Sequence, residues 1–241
     1  NIARASTTKR AQSRRKQLEK MTRIEQPLGE ESSAKFSFEI KRKSGHDVLQ
    51  LKDIAFGYDR NQLLFRNVNL HVTRGERVAL IGANGIGKTT LLKVINQDLE
   101  AEQGDIVLGT NVQIGYYDQE QSSLTETNTV LEELWQAYPH VNEREIRTIL
   151  GNFLFSGDDV LKQVQTLSGG EKARLALAKL MMEQANLLIL DEPTNHLDID
   201  SKEVLESALI NFPGTIIFVS HDRYFINKIA DRVVEIDQQT T

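Results

Sequence analysis

Residues 77–92 read RVALIGANGIGKTTLL, and few folds can accommodate that order of residue types. The apolar run Val78–Ile81 predicts a buried strand, a glycine-rich turn follows, and Lys88 opens an apolar-periodic stretch (Leu91, Leu92, Ile95) that predicts a helix. Within the turn, Gly82, Gly87, Lys88 and Thr89 fill the spacing GxxxxGKT, with an extra glycine at Gly85. Glycines let the backbone approach a polyphosphate at the positive end of a helix dipole with no Cβ in the way. Lys88 then reaches the β- and γ-phosphates and the Thr89 hydroxyl can ligate Mg²⁺.

Three further strand-to-loop junctions carry polar groups. Leu187–Leu190 runs into Asp191, Glu192 and Pro193, and a turn with Asn195, His196, Leu197 and Asp198 follows. Two adjacent carboxylates at a strand end stand where an α/β sheet presents polar groups to a ligand. Asp191 can hold Mg²⁺ through water, and Glu192 can orient and deprotonate an attacking water. Thr215–Val219 runs into Ser220, His221 and Asp222, and Val112–Tyr117 into Asp118 and Gln119. These strands, alternating with helices, predict a mostly parallel, doubly wound α/β sheet.

The rest of the chain reads as apparatus around that sheet. FSFEI, VLQLKDIAF and VNLHV, between Phe36 and Val72, predict a small antiparallel sheet, and Tyr58 follows the second segment as an aromatic that could stack on a base. Residues 104–108 and 112–117 predict a hairpin around 109–111. Residues 128–165 form two amphipathic stretches and read as a separate helical lobe, with Trp135 on its buried side. LSGGE, Leu167–Glu171, opens a helix whose Ala173, Ala176, Leu177, Leu180 and Met181 keep the spacing of a core face. Ser168 is placed to cap it, and the two glycines leave a second anion-binding helix start.

Charge is unevenly placed. The net charge is −5, yet residues 1–23 carry eight basic side chains and one acid, a local +7 that leaves −12 on the remaining 218 residues. Residues 1–27 predict a basic helix and 28–35 a short linker. Such an arm can neutralise nucleic-acid phosphates, with Arg10, Arg14, Arg15 and Lys16 as candidates; it can equally be a solvated helix. The chain has no cysteine, which excludes disulfides, thiolate metal sites and cysteine nucleophiles. No apolar run comes near the ~20 residues of a membrane-spanning helix, and the start lacks the apolar stretch of a secretory signal. The expectation is therefore a cytoplasmic chain with no membrane contact.

Taken together in this order, the phosphate loop, Gln119, LSGGE, LLILDEP and the SHD histidine resemble the ATP-binding cassette ATPases, a P-loop NTPase family. The match spans about residues 36–237, with a tail at 238–241. That resemblance implies ATP and Mg²⁺ as ligands. It places Tyr58 on the adenine; Gly82, Asn84, Gly85, Gly87, Lys88, Thr89 and Thr90 on the phosphates; and Thr89, Gln119 and Asp191 at the metal. Glu192, Gln119 and His221 take the catalytic roles. Ser168, Gly169, Gly170 and Glu171 form the signature that closes on a partner's ATP, and Asp198 is the D-loop residue.

EPTNHLD, and Glu171 where transporters commonly have glutamine, resemble the soluble F subfamily. There the basic arm would be the end of the linker between two cassettes, lying near tRNA on the ribosome. This chain then resembles a second cassette, whose partner is the first cassette of the same full-length protein or another copy of itself. The alternatives are the ATPase subunit of a transporter and a DNA-associated ATPase.

Overall fold

The computed structural model describes residues 39–59, 62–118 and 124–236, all within one compact unit. The basic arm and Gln119 lie outside the described residues. A parallel sheet of five strands has the order β5-β6-β7-β3-β8: β3 is Arg77–Ile81, β5 Ile114–Tyr117, β6 Leu187–Asp191, β7 Thr215–Val219 and β8 Arg232–Glu235. β6 and β7 are buried at every position. Continuous apolar runs of this kind are what a parallel sheet covered on both faces requires.

Alternation along these strands separates two cores. Leu188, Leu190, Ile216 and Phe218 face one cluster, while Leu187, Ile189, Ile217 and Val219 face the other, as the two-residue period of a strand dictates. On the second face lie helix α1 (Lys88–Ile95) and an antiparallel sheet of order β2-β1-β4, formed by β1 (Asp47–Phe56), β2 (Phe65–Thr73) and β4 (Gln103–Leu108). On the first face pack α4 (Gly169–Met182), α5 (Ile199–Ile210) and α6 (Arg223–Ile229), together with the helical lobe. That lobe holds α2 (Val130–Trp135), α3 (Glu143–Asn152) and two short 3₁₀ turns at Gly157–Leu161 and Val164–Thr166. Ala173, Ala176, Leu177 and Leu180 of α4 are buried as their spacing predicts, and Met181 packs partly buried against them.

Three sequence expectations are corrected. Residues 104–117 do not form a hairpin: β4 pairs antiparallel with β1 through Leu49–Leu108, whereas β5 pairs parallel with β6 through Ile114–Leu187. The cause is Asn186, 1 % exposed, whose Oδ1 accepts from Gln113 N–H at 2.9 Å and whose Nδ2 donates to the Asn111 and Arg42 carbonyls. It draws the chain after β4 into the parallel sheet. Trp135 is 37 % exposed, because Val130, Leu131 and Leu134 occupy the inward face of the short α2. Glu39 and Ile40, the described part of FSFEI, are not in a strand; Ile40 packs against the first core instead.

Asn186→Ala removes one acceptor and two donors from part-buried backbone partners at once. A net hydrogen bond contributes about 0.5–1.5 kcal/mol, so losing three predicts a loss on the order of 1.5–4 kcal/mol, read as a lowered denaturation midpoint with unchanged m-value. A midpoint equal to that of the parent would show that Asn186 does not hold this junction.

Candidate functional site

Strands β6, β7 and β3 are sheet neighbours, so Asp191, Val219 and Ile81 end side by side. The loops that leave them converge. Tyr58, Leu64, Asn84, Gly85, Gly87, Lys88, Thr89, Thr90, Glu192, Asn195, Val219 and His221 line one cleft of about 480 Å³. Most residues expected to meet ATP are thus brought together, whereas Ser168–Glu171 and Asp198 do not line this cleft.

The phosphate loop follows from local chemistry. Gly87 has φ +99° and no Cβ; one would stand 2.9 Å from the Leu64 and Phe65 side chains, so any other residue would be strained in conformation and would push on those side chains. Among the described α-helices, α1 alone begins without a side-chain cap: Gly87 offers none, and no acid stands in the first turn. Its leading N–H groups are left to an anion. Lys88, 8 % exposed, donates from Nζ to the carbonyls of Gly82 and Ala83, 2.9 Å each, and so stands within the curl of the loop.

Beside it, Thr89 Oγ1 donates to Asp191 Oδ1 at 3.2 Å. Asp191 is fully buried, and among the described residues its Oδ2 has no hydrogen-bond partner. Burial pushes its carboxyl up, against the opposing pull of the Thr89 hydroxyl. A hydroxyl, an orphaned carboxylate oxygen and adjoining room for phosphate form the sparse oxygen set that Mg²⁺ accepts, since that ion keeps waters and phosphate oxygens among its ligands. No group of three or more His, Asp or Glu residues arranged to hold a metal alone occurs among the described residues. Any divalent cation here would rely on the nucleotide as well.

Glu192 departs from regular geometry. Its φ is +47°, uncommon for a residue with a side chain, and its N–H donates to the Val219 carbonyl at 3.0 Å. That bond fastens the loop after β6 to the end of β7 and holds the strained residue in place. The carboxylate turns toward His221: Oε2 accepts from the His221 N–H at 3.2 Å, and the imidazole Nε2 lies 3.3 Å from Oε1 without the angles of a hydrogen bond. Glu192 is buried, while the His221 side chain is 60 % exposed. A carboxylate anchored on one oxygen thus keeps the other buried and unpartnered beside an exposed imidazole, and both residues line the cleft.

At the mouth, Tyr58 is 73 % exposed; its hydroxyl lies 3.2 Å from Thr90 Oγ1, and its ring stands edge-on to Phe56 at 5.1 Å. One ring face is open to a stacking partner. Leu64, Asn195 and Val219 also line the cleft, although no motif marks them as ligand-facing. Asn195 sits in the recognised turn after Pro193, but nothing near Leu64 in sequence signals that it packs over Gly87. Tyr116 is a separate case: burial and the nearby Asp191 raise its phenol well above the ordinary tyrosine value, and its hydroxyl has no partner among the described residues.

Ser168 caps α4 by accepting from Glu171 N–H at 3.2 Å, while the Glu171 carboxylate accepts from Ser168 N–H at 2.8 Å. This reciprocal pair fixes the turn carrying Gly169 and Gly170.

A phosphate loop on a parallel sheet, with acid and histidine at adjacent strand ends, defines a P-loop nucleotide-binding α/β protein. Residues 65–195 match the family described as ABC transporter, and the chain belongs to that family as an ATP-binding domain. Residues 1–38 match a second model with the same description. A putative ATP-binding protein, YdiF, of Bacillus subtilis is 64 % identical over 98 % of this chain and 37 % of its own length. ABC transporter F family member 5 of Arabidopsis thaliana is 42 % identical over 98 % of the chain and 34 % of its own length. Protein GCN20 of Saccharomyces cerevisiae is 38 % identical over 98 % and 31 %. The chain therefore spans about a third of each of these relatives. No helix among the described residues is long and apolar enough to cross a membrane.

Proposed function

We propose that the chain is the second cassette of a soluble F-subfamily protein that works on the ribosome, where ATP clamps two cassettes together and hydrolysis releases them. The observation that carries this is the junction of an ATP-binding domain to a +7 arm that itself falls in an ABC transporter match at residues 1–38. The F-family name of the Arabidopsis relative and the EPTNHLD turn support the same assignment. Cytoplasmic location and the absence of a membrane partner belong to this proposal.

In it, the α1 N–H groups and Lys88 hold the phosphates, and Tyr58 stacks on adenine. Thr89 and Asp191, with Gln119, would hold Mg²⁺, which when bound would screen the charge of the phosphates. Glu192 orients water and takes its proton, and His221 senses the γ-phosphate beside it. Ser168–Gly170 and Asp198, which do not line this chain's own cleft, complete the site of a facing cassette. A lone cassette therefore binds nucleotide but lacks part of the charge stabilisation for transfer.

The test is co-sedimentation of the full-length parent with ribosomes under ATP, using Glu192→Gln to trap the clamp. Co-sedimentation that requires ATP is expected; none would overturn the proposal. For the arm, replacing Arg14, Arg15 and Lys16 by glutamine should lower RNA affinity and reduce the slope of log K against log salt by about 2–3 while ATP binding is kept. An unaltered slope would return the arm to a solvated helix.

A further inference from the structure

Two aspartates of this fold divide their carboxylates in the same way. Asp198 gives Oδ1 to the Ser201 N–H at 2.8 Å, capping α5, and turns Oδ2 toward the Arg174 guanidinium of α4 at 3.7 Å. Asp222 gives Oδ1 to the Tyr224 and Phe225 N–H groups, capping α6, and accepts from Lys202 of α5 on Oδ2 at 3.1 Å. Each carboxylate thus starts one helix and is held by a cation from another.

The contacts form a continuous line. Arg174 also donates to the buried Ser201 hydroxyl at 3.3 Å and lies over the Phe155 ring at 5.4 Å, which fixes its direction. Ahead of it on α4, Gly170 lies against the turn before Asp198: a Cβ there would stand 2.8 Å from the His196 carbonyl oxygen. At the far end, Asp222 follows His221, whose N–H is bonded to Glu192. The signature turn, the Asp198 turn, α5 and the His221 loop are therefore joined by direct contacts.

We propose that the first turn of α5 is a short strut linking the chain's own nucleotide cleft to the signature it presents to a facing cassette, with Lys202 and Arg174 as positioning residues on its two sides. This rests on the reading that two cassettes pair. Displacement of His221 by a bound nucleotide would be passed through Asp222 and Lys202 to α5, and through Asp198 and Arg174 to Ser168–Gly170. The fold is expected to survive the loss of either ion pair. Both pairs are part-exposed and so contribute little stability, whereas α5 is seated by fully buried Leu205, Ala208 and Leu209. Neither cation lines the cleft.

The test compares the full chain with Lys202→Met, Lys202→Arg and Arg174→Gln. ATP affinity is measured at low protein concentration, and hydrolysis at saturating ATP across a wide range of protein concentration. Lys202→Met and Arg174→Gln should keep ATP affinity within about twofold and the parent's melting temperature within a few degrees, while the maximal rate falls about tenfold or more. Lys202→Arg should recover most of that rate. Three results would overturn the strut: unchanged maximal rates, a rate loss matched by an equal loss of ATP affinity, or an arginine variant as slow as the methionine one. A parent rate that does not depend on its own concentration would instead overturn the pairing reading, and the strut with it.

Discussion

Glu192→Gln should slow ATP hydrolysis by about 10²–10⁴-fold and leave nucleotide binding in place, the size expected when a positioned general base is lost. Glutamine preserves the side chain's length and an acceptor for the His221 N–H, so the anchoring bond to the loop after β7 survives while proton acceptance does not. Single-turnover hydrolysis beside equilibrium ATP binding separates the two. A variant that hydrolyses at the parent rate would show that Glu192 only fastens β6 to β7 through its backbone bond to Val219.

Lys88→Ala should cost more in affinity than any other single change in the cleft. The ammonium lies within the loop, 2.9 Å from two carbonyls, where it can exchange those neutral acceptors for phosphate oxygens. Hydrogen bonds to charged partners are worth about 1.5–3 kcal/mol each, so losing two predicts a weakening of ATP binding of about 10²-fold or more. Displacement of a fluorescent nucleotide measures it. The fold should hold, because α1 is seated by Leu91, Leu92, Val94 and Ile95 rather than by the lysine. An unchanged affinity would contradict the assignment of this loop to phosphate.

Both predictions concern positions that stand out along the chain itself. The strands that carry the cleft are legible because a parallel sheet covered on both faces demands unbroken apolar runs, and Val78–Ile81, Leu187–Leu190 and Thr215–Val219 supply them. Their polar successors mark the ligand edge for the same reason. What stayed hidden depends on contacts distant in sequence. In place of a hairpin, the segment 111–113 is tied by hydrogen bonds to Asn186, some seventy residues later, just before β6. Leu64 enters the cleft only because the antiparallel sheet lays it against Gly87.

The helical lobe shows the same limit. Its apolar spacing identified helices, but α2 is only six residues long, and a single turn and a half has room for Val130, Leu131 and Leu134 inside while Trp135 stays at the rim. Arg174 and Lys202 gave no local signal either. Each looks like an ordinary charge on a helix until Asp198 and Asp222 are brought opposite them.

The most direct test is calorimetric titration of the intact chain with ATP, in the presence and absence of magnesium. Saturable uptake of one nucleotide per chain is expected, tighter with magnesium because Thr89 and Asp191 then engage the cation together with the phosphates. No uptake of nucleotide with magnesium present would contradict the cleft's assignment.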